Sequence, residues 1–415
     1  MTGAGVSLEQ VVREEWGRLT SLLLAQFRRL DLVEDALADA VEAAARRWPA
    51  DGTPDNPAAW LLTTARRRVL DRVRAESMAR RKQPLLVTDA ARGEGGTAMA
   101  DPGDLVEDDL LRLVLMCTHP ALAPASACAL ALRLVLGVST HDIARLFLVT
   151  EPTMAARLTR AKKKVVAAGI PFAVPDADVL PDRLETVAQT AYLAFTAGYA
   201  PGSGPDLLRA ELAGEAIRLV RVVLDLRSDE AALVALLALM LLQHSRRDAR
   251  VAADGTLVLL ADQDRSLWRR DEIEEARRLL DDPVLARPLS QLAASYAVQA
   301  RIAVEHATAG GSDETRWDRI VAHYDLLLEL SPSPSVRLAR AVAVAESDGP
   351  GAGLDALAGI EIPGSHRVDA VRAELLSRTG DVVAARAAYD LAIAGCHNDT
   401  ERAHLVSRRA ALPPS

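Results

Sequence analysis

Aromatic side chains are scarce: four Phe, five Trp and five Tyr make up 3% of the 415 residues. Half of the chain is hydrophobic, so Ala and Leu must fill its interior, which favours packed helices over β-sandwiches and predicts an all-α protein. Three cysteines, Cys117, Cys128 and Cys396, are too few for a disulfide framework. Cys117, His119, Cys128 and His141 lack paired zinc-site spacing and read as buried thiols and helix-cap polar groups, so neither a metal nor a cofactor is expected. The longest apolar run, Ala231 to Leu242, covers 12 residues, short of the roughly 20 that span a bilayer, and reads as a buried helix. Met1 to Trp16 carries Glu9, Glu14 and Glu15 and no apolar stretch, so no secretory signal is visible; a cytoplasmic location and no membrane partner are expected. A nucleophile elbow, a P-loop, a Ser-His-Asp order and metal-ligand motifs are also missing, which argues against an enzyme.

What is present is unevenly distributed. Residues 1–172 hold 23 Lys and Arg against 21 Asp and Glu, whereas residues 173–415 hold 26 against 36. Within the first part the basic residues cluster. Arg66 to Lys82 contains eight of them and two acids, and Thr153 to Phe172 contains five and no acid. Two local positive patches in a chain of net charge −8 suggest two contacts with a polyanion, because a phosphate backbone responds to local rather than total charge.

Turn-forming residues divide the chain. A helical block from Leu8 to Arg81 is expected to break at Pro49 to Pro57, and Gln83 to Gly103 has the composition of a linker. A second helical block runs from Leu105 to Ala168, closed by Gly169, Pro171 and Pro175. From Leu180 the pattern is helical again, with interruptions expected at Ala200 to Pro205, Asp254-Gly255, Gly310 to Ser312 and Gly349 to Gly353; only Thr256 to Leu260 looks strand-like. Near the end, Ile320, Tyr324 and Leu327 share their spacing with Ala385, Tyr389 and Ala392, and Gly380-Asp381 precedes the second set. The pattern resembles a tetratricopeptide repeat, with an ordinary Ala-rich helical bundle as the alternative.

Asn56-Pro57 opens a helix on which Leu62, Ala65, Val69 and Val73 form an apolar stripe. Opposite lie Trp60, Thr64, Arg67, Asp71 and Arg74, flanked by Arg66, Arg68 and Arg72. An aromatic ring beside a guanidinium row can stack an unpaired base while holding its phosphates; a solvated Arg-rich surface is the other reading. The preceding helix is expected to start at an Asp31 N-cap with Glu34 three residues on, and to carry Asp35, Asp39 and Glu42 as an acidic ridge suited to a basic protein surface or simply to solvent. Further on, Ser139 to Asp142 is a capping box for a short helix, and Thr150 caps a second one after a tight turn at Leu148-Val149. That second helix presents Thr153, Arg157 and Arg160, followed by Lys162, Lys163 and Lys164, as a base-reading and phosphate-contacting set.

The order of acidic helix, Asp51 to Pro57 loop, Trp60 to Arg67 with Asp71 and Arg74, linker, and Gly137 to Ala161 resembles an RNA polymerase sigma factor of the extracytoplasmic-function type over residues 8–170. Residues 171–415 resemble the long helical, tetratricopeptide-like extension carried by one subgroup, and the stretches Asp51 to Trp60, His119 to Leu122 and Ala261 to Ser266 look like that subgroup in particular. The resemblance implies sigma region 2 over 8–82, a linker over 83–104, region 4 over 105–172 and a helical extension over 180–415. It further implies that Asp31, Glu34, Asp35, Asp39 and Glu42 contact core RNA polymerase. Trp60, Thr64, Arg66, Arg67, Arg68, Asp71, Arg72 and Arg74 would hold the melted minus-ten promoter element, and Thr153, Arg157, Arg160 and Lys162 to Lys164 would read the minus-thirty-five element. Arg67 stands where many relatives have Asn, and Ala155 and Ala156 replace polar residues common in the recognition helix. The extension is expected to bind polymerase, the sigma core or a small co-regulated protein. Its Asp262, Asp264, Arg265 and Trp268 form either a structural ion-pair network or a partner site. A helix-turn-helix regulator that never joins polymerase, and a repeat scaffold with incidental basic patches, are the competing functions.

Overall fold

The computed structural model describes residues 7–81, 102–147, 149–199, 210–252, 258–311 and 313–413. The chain divides into two compact units, Met1–Thr190 and Ala191–Ser415.

In the first unit, Ser7 accepts the Gln10 amide at 3.1 Å and opens α1 (Leu8–Phe27), which ends where Arg28 adopts a left-handed conformation. Helix α2 (Leu30–Asp51) follows at once without a side-chain cap. Asp31, the expected N-cap, lies inside the first turn because its carboxylate is held by Arg29 at 2.8 Å. The helix also continues through Pro49, so the expected break from Pro49 shrinks to residues 52–56. Asn56 accepts the Ala59 amide at 3.0 Å and starts α3 (Pro57–Arg81), with Pro57 in the first turn where a missing N–H costs nothing. One core joins the three helices: Trp16, Leu19 and Leu23 meet Val33, Leu37 and Ala44, and Leu61, Ala65 and Val69 close it. The α3 stripe is thus rotated from its expected position. Leu61 is fully buried, Leu62 is partly buried, and Val73 is exposed.

Helices α4 (Pro102–Cys117), α5 (Pro124–Leu134), α6 (Thr140–Leu146) and α7 (Glu151–Ala167) complete the unit. Most of the expected linker, and the residue Leu148 of the expected turn, lie outside the described residues; α4 begins at Pro102, within the span expected to be linker. The capping box is present, Ser139 accepting the Asp142 amide at 3.0 Å, and Thr150 accepts the Thr153 amide at 3.4 Å. Helix α8 (Leu180–Tyr199) crosses the division between the units, and within the first its Arg183 donates to the Leu115 carbonyl at 2.7 Å.

The second unit contains α9 (Ala210–Leu226), α10 (Ala231–His244), α11 (Arg270–Leu280), α12 (Gln291–Thr308), α13 (Trp317–Leu330), α14 (Pro334–Asp348), α15 (Pro350–Leu357), α16 (Arg367–Thr379), α17 (Val382–Gly395) and α18 (Asp399–Ala410). Helix α10 contains the 12-residue apolar run, and every residue from Ala232 to Leu242 is buried, because α9, α11 and α12 all pack on it. From α12 to α18 each helix packs on the next. The two repeated sets occupy buried faces: Ile320 and Leu327 on α13, and Ala385, Tyr389 and Ala392 on α17. Gly380, at φ 88°, turns the chain between α16 and α17, and Asp381 caps the next helix through the Ala384 amide at 3.0 Å. Two expectations fail here. Gly349 alone breaks the chain, since Gly351 and Gly353 lie inside α15, where Gly353 lets that helix approach Ala345 of α14 closely. The strand-like segment lies partly outside the described residues, and its end, Leu260, opens a 3-10 turn.

The tightest seam of the first unit joins α1 and α2 to the helix-turn-helix half. Gly17 faces the Val135 carbonyl so closely that a Cβ would sit 2.4 Å from its oxygen. Trp16 donates its indole N–H to the Arg133 carbonyl at 3.1 Å, and the Arg133 guanidinium lies over the Trp16 ring at 5.5 Å. Gly137, at φ 72°, leaves room for that ring. At the centre, Glu34 is 6% exposed and its carboxylate pairs with Arg133 at 2.7 Å and with Lys162 of α7. Burial works to raise the Glu34 pKa, but the Lys162 ammonium and Arg133 guanidinium together outweigh it and hold the carboxyl below its ordinary value.

Replacing Glu34 with Gln strands two cations in this seam, so Glu34→Gln should destabilise the unit by on the order of 3 kcal/mol in urea unfolding near neutral pH. A depressed native pKa stabilises above the unfolded carboxyl value of 4.5, and that stabilisation is lost as the pH falls through the native value. The gap between wild type and Glu34→Gln should therefore close below pH 4.5; a gap that stays constant across that range would refute the assignment. Gly137→Ala should cost on the order of 2 kcal/mol, through its left-handed backbone and the collision of a Cβ with the Trp16 ring.

Candidate nucleic-acid interface

Helix α3 places Arg66, Arg67, Arg68 and Arg74 in solvent, beside a half-buried Trp60 and Thr64. The Trp60 ring packs against Trp48 of α2 in a T-shaped pair, centroid to centroid 5.7 Å, so the indole is braced by the core of the unit. Asp71 pairs loosely with Arg74 one turn on, at 3.5 Å, both largely exposed. Arg72 behaves differently. Its guanidinium crosses to α2 and binds Asp39 at 2.9 Å and Asp35 at 3.4 Å, so it neutralises the acidic ridge rather than extending the basic row.

The acidic set on α2 divides in the same way. Asp35 and Asp39 share Arg72, and Glu42 pairs with Arg46 at 2.5 Å, yet all three remain at the surface. Asp31 is exposed but tied to Arg29, whose hydrogen bond lowers the Asp31 pKa; Arg29 also reaches Glu76 of α3 at 3.2 Å. Glu34, expected beside them as a polymerase contact, leaves the ridge altogether, because its place on α2 points it into the seam with Arg133 and Lys162.

On α7, Met154, Leu158, Ala161 and Val165 are buried as the core-facing row. Thr153, Arg160, Lys163 and Lys164 are exposed, and Arg157 is half-buried with its guanidinium over the Phe147 ring at 5.7 Å. Lys162, expected to face phosphates, is instead drawn to Glu34 and is only 26% exposed. Of the five basic residues that the stretch carries in sequence, three are therefore exposed, Arg157 is half-buried and Lys162 is paired. Sequence reasoning singled out neither Arg133 nor Trp16 and Gly17. The one signal available was an Arg in the otherwise apolar Ala127 to Leu136, which is costly unless it finds a partner.

In the second unit, the expected partner-site residues separate. Asp262 and Asp264 are exposed, and Asp264 caps its own turn by accepting the Ser266 amide at 2.8 Å. Arg265 donates to the His306 and Ala309 carbonyls, both at 2.7 Å, and so closes the C-terminal end of α12. Its guanidinium also covers the buried Trp268 ring at 4.8 Å. Arg265 and Trp268 thus serve the fold. Cys117 and Cys128 are buried and burial raises both thiol pKa values, while His119 accepts the Ala121 amide at 3.1 Å. No described helix is long and apolar enough to cross a membrane.

Models of known families match three stretches of the chain: sigma-70 region 2 over residues 11–78, sigma-70 region 4 over 112–165, and a family of unknown function (DUF6596) over 183–283. An uncharacterized protein of Rhizobium meliloti (strain 1021) is 43% identical over 386 residues, covering 92% of this chain and 90% of the relative. No solved structure gives a significant match. The region 2 match covers most of α1 to α3, with the arginine row and the acidic ridge, and the region 4 match carries the capped helix pair α6 and α7. The chain therefore contains sigma-70 regions 2 and 4, which imply binding of core RNA polymerase and promoter DNA and support a sigma-factor-like role in transcription initiation.

Proposed function

We propose that this protein is a sigma factor of the extracytoplasmic-function type that acts in the cytoplasm, guides core polymerase to its promoters, and carries a regulatory, tetratricopeptide-like extension. The observation that carries this reading is the pairing of two exposed cationic helix faces, on α3 and α7, in one chain with matched regions 2 and 4. On α3, Arg66, Arg67, Arg68 and Arg74 hold the phosphates of the melted minus-ten strand while the uncovered part of Trp60 and the Thr64 hydroxyl meet bases. Unstacking costs a few kcal/mol per step, and the captured strand offsets it through stacking and phosphate contacts. On α7, Thr153, Arg157 and Arg160 reach base edges of the minus-thirty-five duplex, with Lys163 and Lys164 on phosphates. Asp35, Asp39 and Glu42 face a basic surface of polymerase. The extension acts through contacts with polymerase, the sigma core or a small co-regulated protein, and chain-ordered helix packing from α12 to α18 supplies the surface for it.

Run-off transcription with core polymerase across a promoter library tests the division of labour. Arg67→Ala should lower output on promoters with varied minus-ten elements. Arg157→Ala should relax discrimination at the minus-thirty-five element by about 1–3 kcal/mol, and Lys163→Ala should reduce the salt slope of binding by roughly one. Identical promoter profiles for Arg67→Ala and Arg157→Ala would overturn the assignment. Binding and transcription that need no core polymerase would instead favour a free-standing helix-turn-helix regulator.

Removing the extension tests its regulatory role. A cut after Pro171 also removes Arg183, which anchors α8 to α4, so a chain ending at Thr190 is the cleaner comparison. That chain should show altered promoter-dependent transcription with the first unit still folded by circular dichroism. Unchanged reconstituted transcription would remove the extension from the mechanism.

A further inference from the structure

The C-terminal helices bring three metal-binding chemistries together from three separate chain segments. His366 sits at the N-cap of α16, Cys396 at the C-cap of α17, and Glu401 in the first turn of α18. One ligand atom from each lies within 4.8 Å of the other two, and no other such trio of His, Cys, Asp or Glu is found among the described residues. His366 Nε2 is 3.3 Å from Glu401 Oε2. The other carboxylate oxygen, Oε1, faces Arg367 at 3.8 Å, so one oxygen is engaged by the guanidinium while its neighbour is turned toward the imidazole and the thiol. Cys396 is 2% exposed, and its Sγ–H donates to the Asn398 carbonyl at 3.4 Å.

We propose that His366, Cys396 and Glu401 form a zinc-binding site, with the fourth position of the ion left to water. Zinc bonds of about 2.0–2.3 Å in a tetrahedron place the ligand atoms roughly 3.3–3.8 Å apart. The His366 and Glu401 atoms already stand at that separation, and the Cys396 sulfur lies within 4.8 Å of both. One imidazole nitrogen, one thiolate and one carboxylate suit zinc and not magnesium or calcium, which take oxygen ligands. On binding, the Cys396 S–H bond breaks, its proton passes to solvent and an S–Zn bond forms. The thiolate and carboxylate then balance the two positive charges of the ion, with no change in oxidation state. Two guanidinium groups lie nearby, but Arg402 is paired with Asp399 and Arg367 with the outer oxygen of Glu401.

The ion would tie the start of α16 to the junction of α17 and α18, at the end of the second unit. The core there is small: Cys396 belongs to it with Ala373, Ala388, Tyr389, Ala392 and Leu405. A metal cross-link across three segments is a common supplement where little apolar area is available.

Cobalt(II) titration of the full chain, kept reduced with a phosphine, tests the site. Expected are a thiolate-to-cobalt band in the near ultraviolet and intense tetrahedral bands in the visible, saturating near one equivalent and bleached by zinc. Cys396→Ser should abolish the near-ultraviolet band, and Glu401→Gln should weaken binding roughly tenfold or more. Because Cys396 is a core residue, two measurements stand apart from that variant: zinc should raise the melting temperature of the wild-type chain, and it should protect Cys396 from alkylation less well in Glu401→Gln. No charge-transfer band in the wild type, a band that persists in folded Cys396→Ser, or a melting temperature indifferent to zinc would each overturn the proposal.

Discussion

The buried contact of Glu34 with Arg133 and Lys162 governs how the first unit presents its charges. A carboxylate at the centre of a seam is tolerable because two cations face it, and removing the carboxylate would leave both of them unpaired in a poorly solvated setting. The seam is specific in shape as well as charge. Gly17 and Gly137 have no side chain where the Val135 carbonyl and the Trp16 ring come close, and the Trp16 indole is fixed by a hydrogen bond to the backbone of the arginine that pairs with Glu34. Such a joint ties α2, which carries the acidic ridge, to α7, which carries the outward row of Thr153, Arg160, Lys163 and Lys164. In the proposed role these two faces meet different partners, so the seam sets their mutual orientation before either is bound.

The second unit is packed chiefly through apolar contacts, with a largely buried ion pair of Glu272 and Arg247 beside the end of α10. Helix α10 is apolar on all sides, and three neighbouring helices remove it from water. Small residues then set the spacing of later helices: Gly353 against Ala345, and the Ala385 and Ala392 face of α17. Ala and Gly bring axes close with little loss of side-chain entropy, and close approach recovers by dispersion part of what larger side chains would contribute by area. This is how a chain with only 14 aromatic residues encloses a core in each unit.

Local patterns were legible in the sequence where the signal is itself local. The Ser139 and Thr150 caps, the Asn56-Pro57 helix start, the buried run of α10 and the Gly380-Asp381 turn each depend on residues within a few positions of one another, and each is present. Helix ends and side-chain commitments were less legible. Asp31 has the composition of an N-cap, but Arg29 competes for its carboxylate two residues away; Pro49 marks a break in sequence yet fits the last turn of α2. Glu34, Arg72 and Lys162 carry the right charge for a surface role, and each is claimed by a partner that only the folded chain brings near, at sequence separations of 33 to 128 residues. Arg265 reads as part of a charged cluster and serves to close a helix end 41 residues away.

Charge counted along the sequence therefore overstates charge available to a ligand. On α3, successive arginines stand about 100° apart around the axis, so Arg66, Arg67 and Arg68 cover a wide arc and approach a bound strand from different sides. Arg72 is withdrawn to the acidic ridge. What remains is a broad positive surface that attracts phosphate from several directions and holds it with little sequence preference. Discrimination in the proposed minus-ten contact must then come from the part of α3 that is rigid. Trp60, packed against Trp48 and seated over the core of the unit, offers one braced aromatic surface, whereas the arginines around it are long and stand in solvent. Affinity and selectivity on this helix thus reside in different side chains, the first spread over the exposed guanidinium groups and the second concentrated where the packing of α2 against α3 leaves a ring half uncovered.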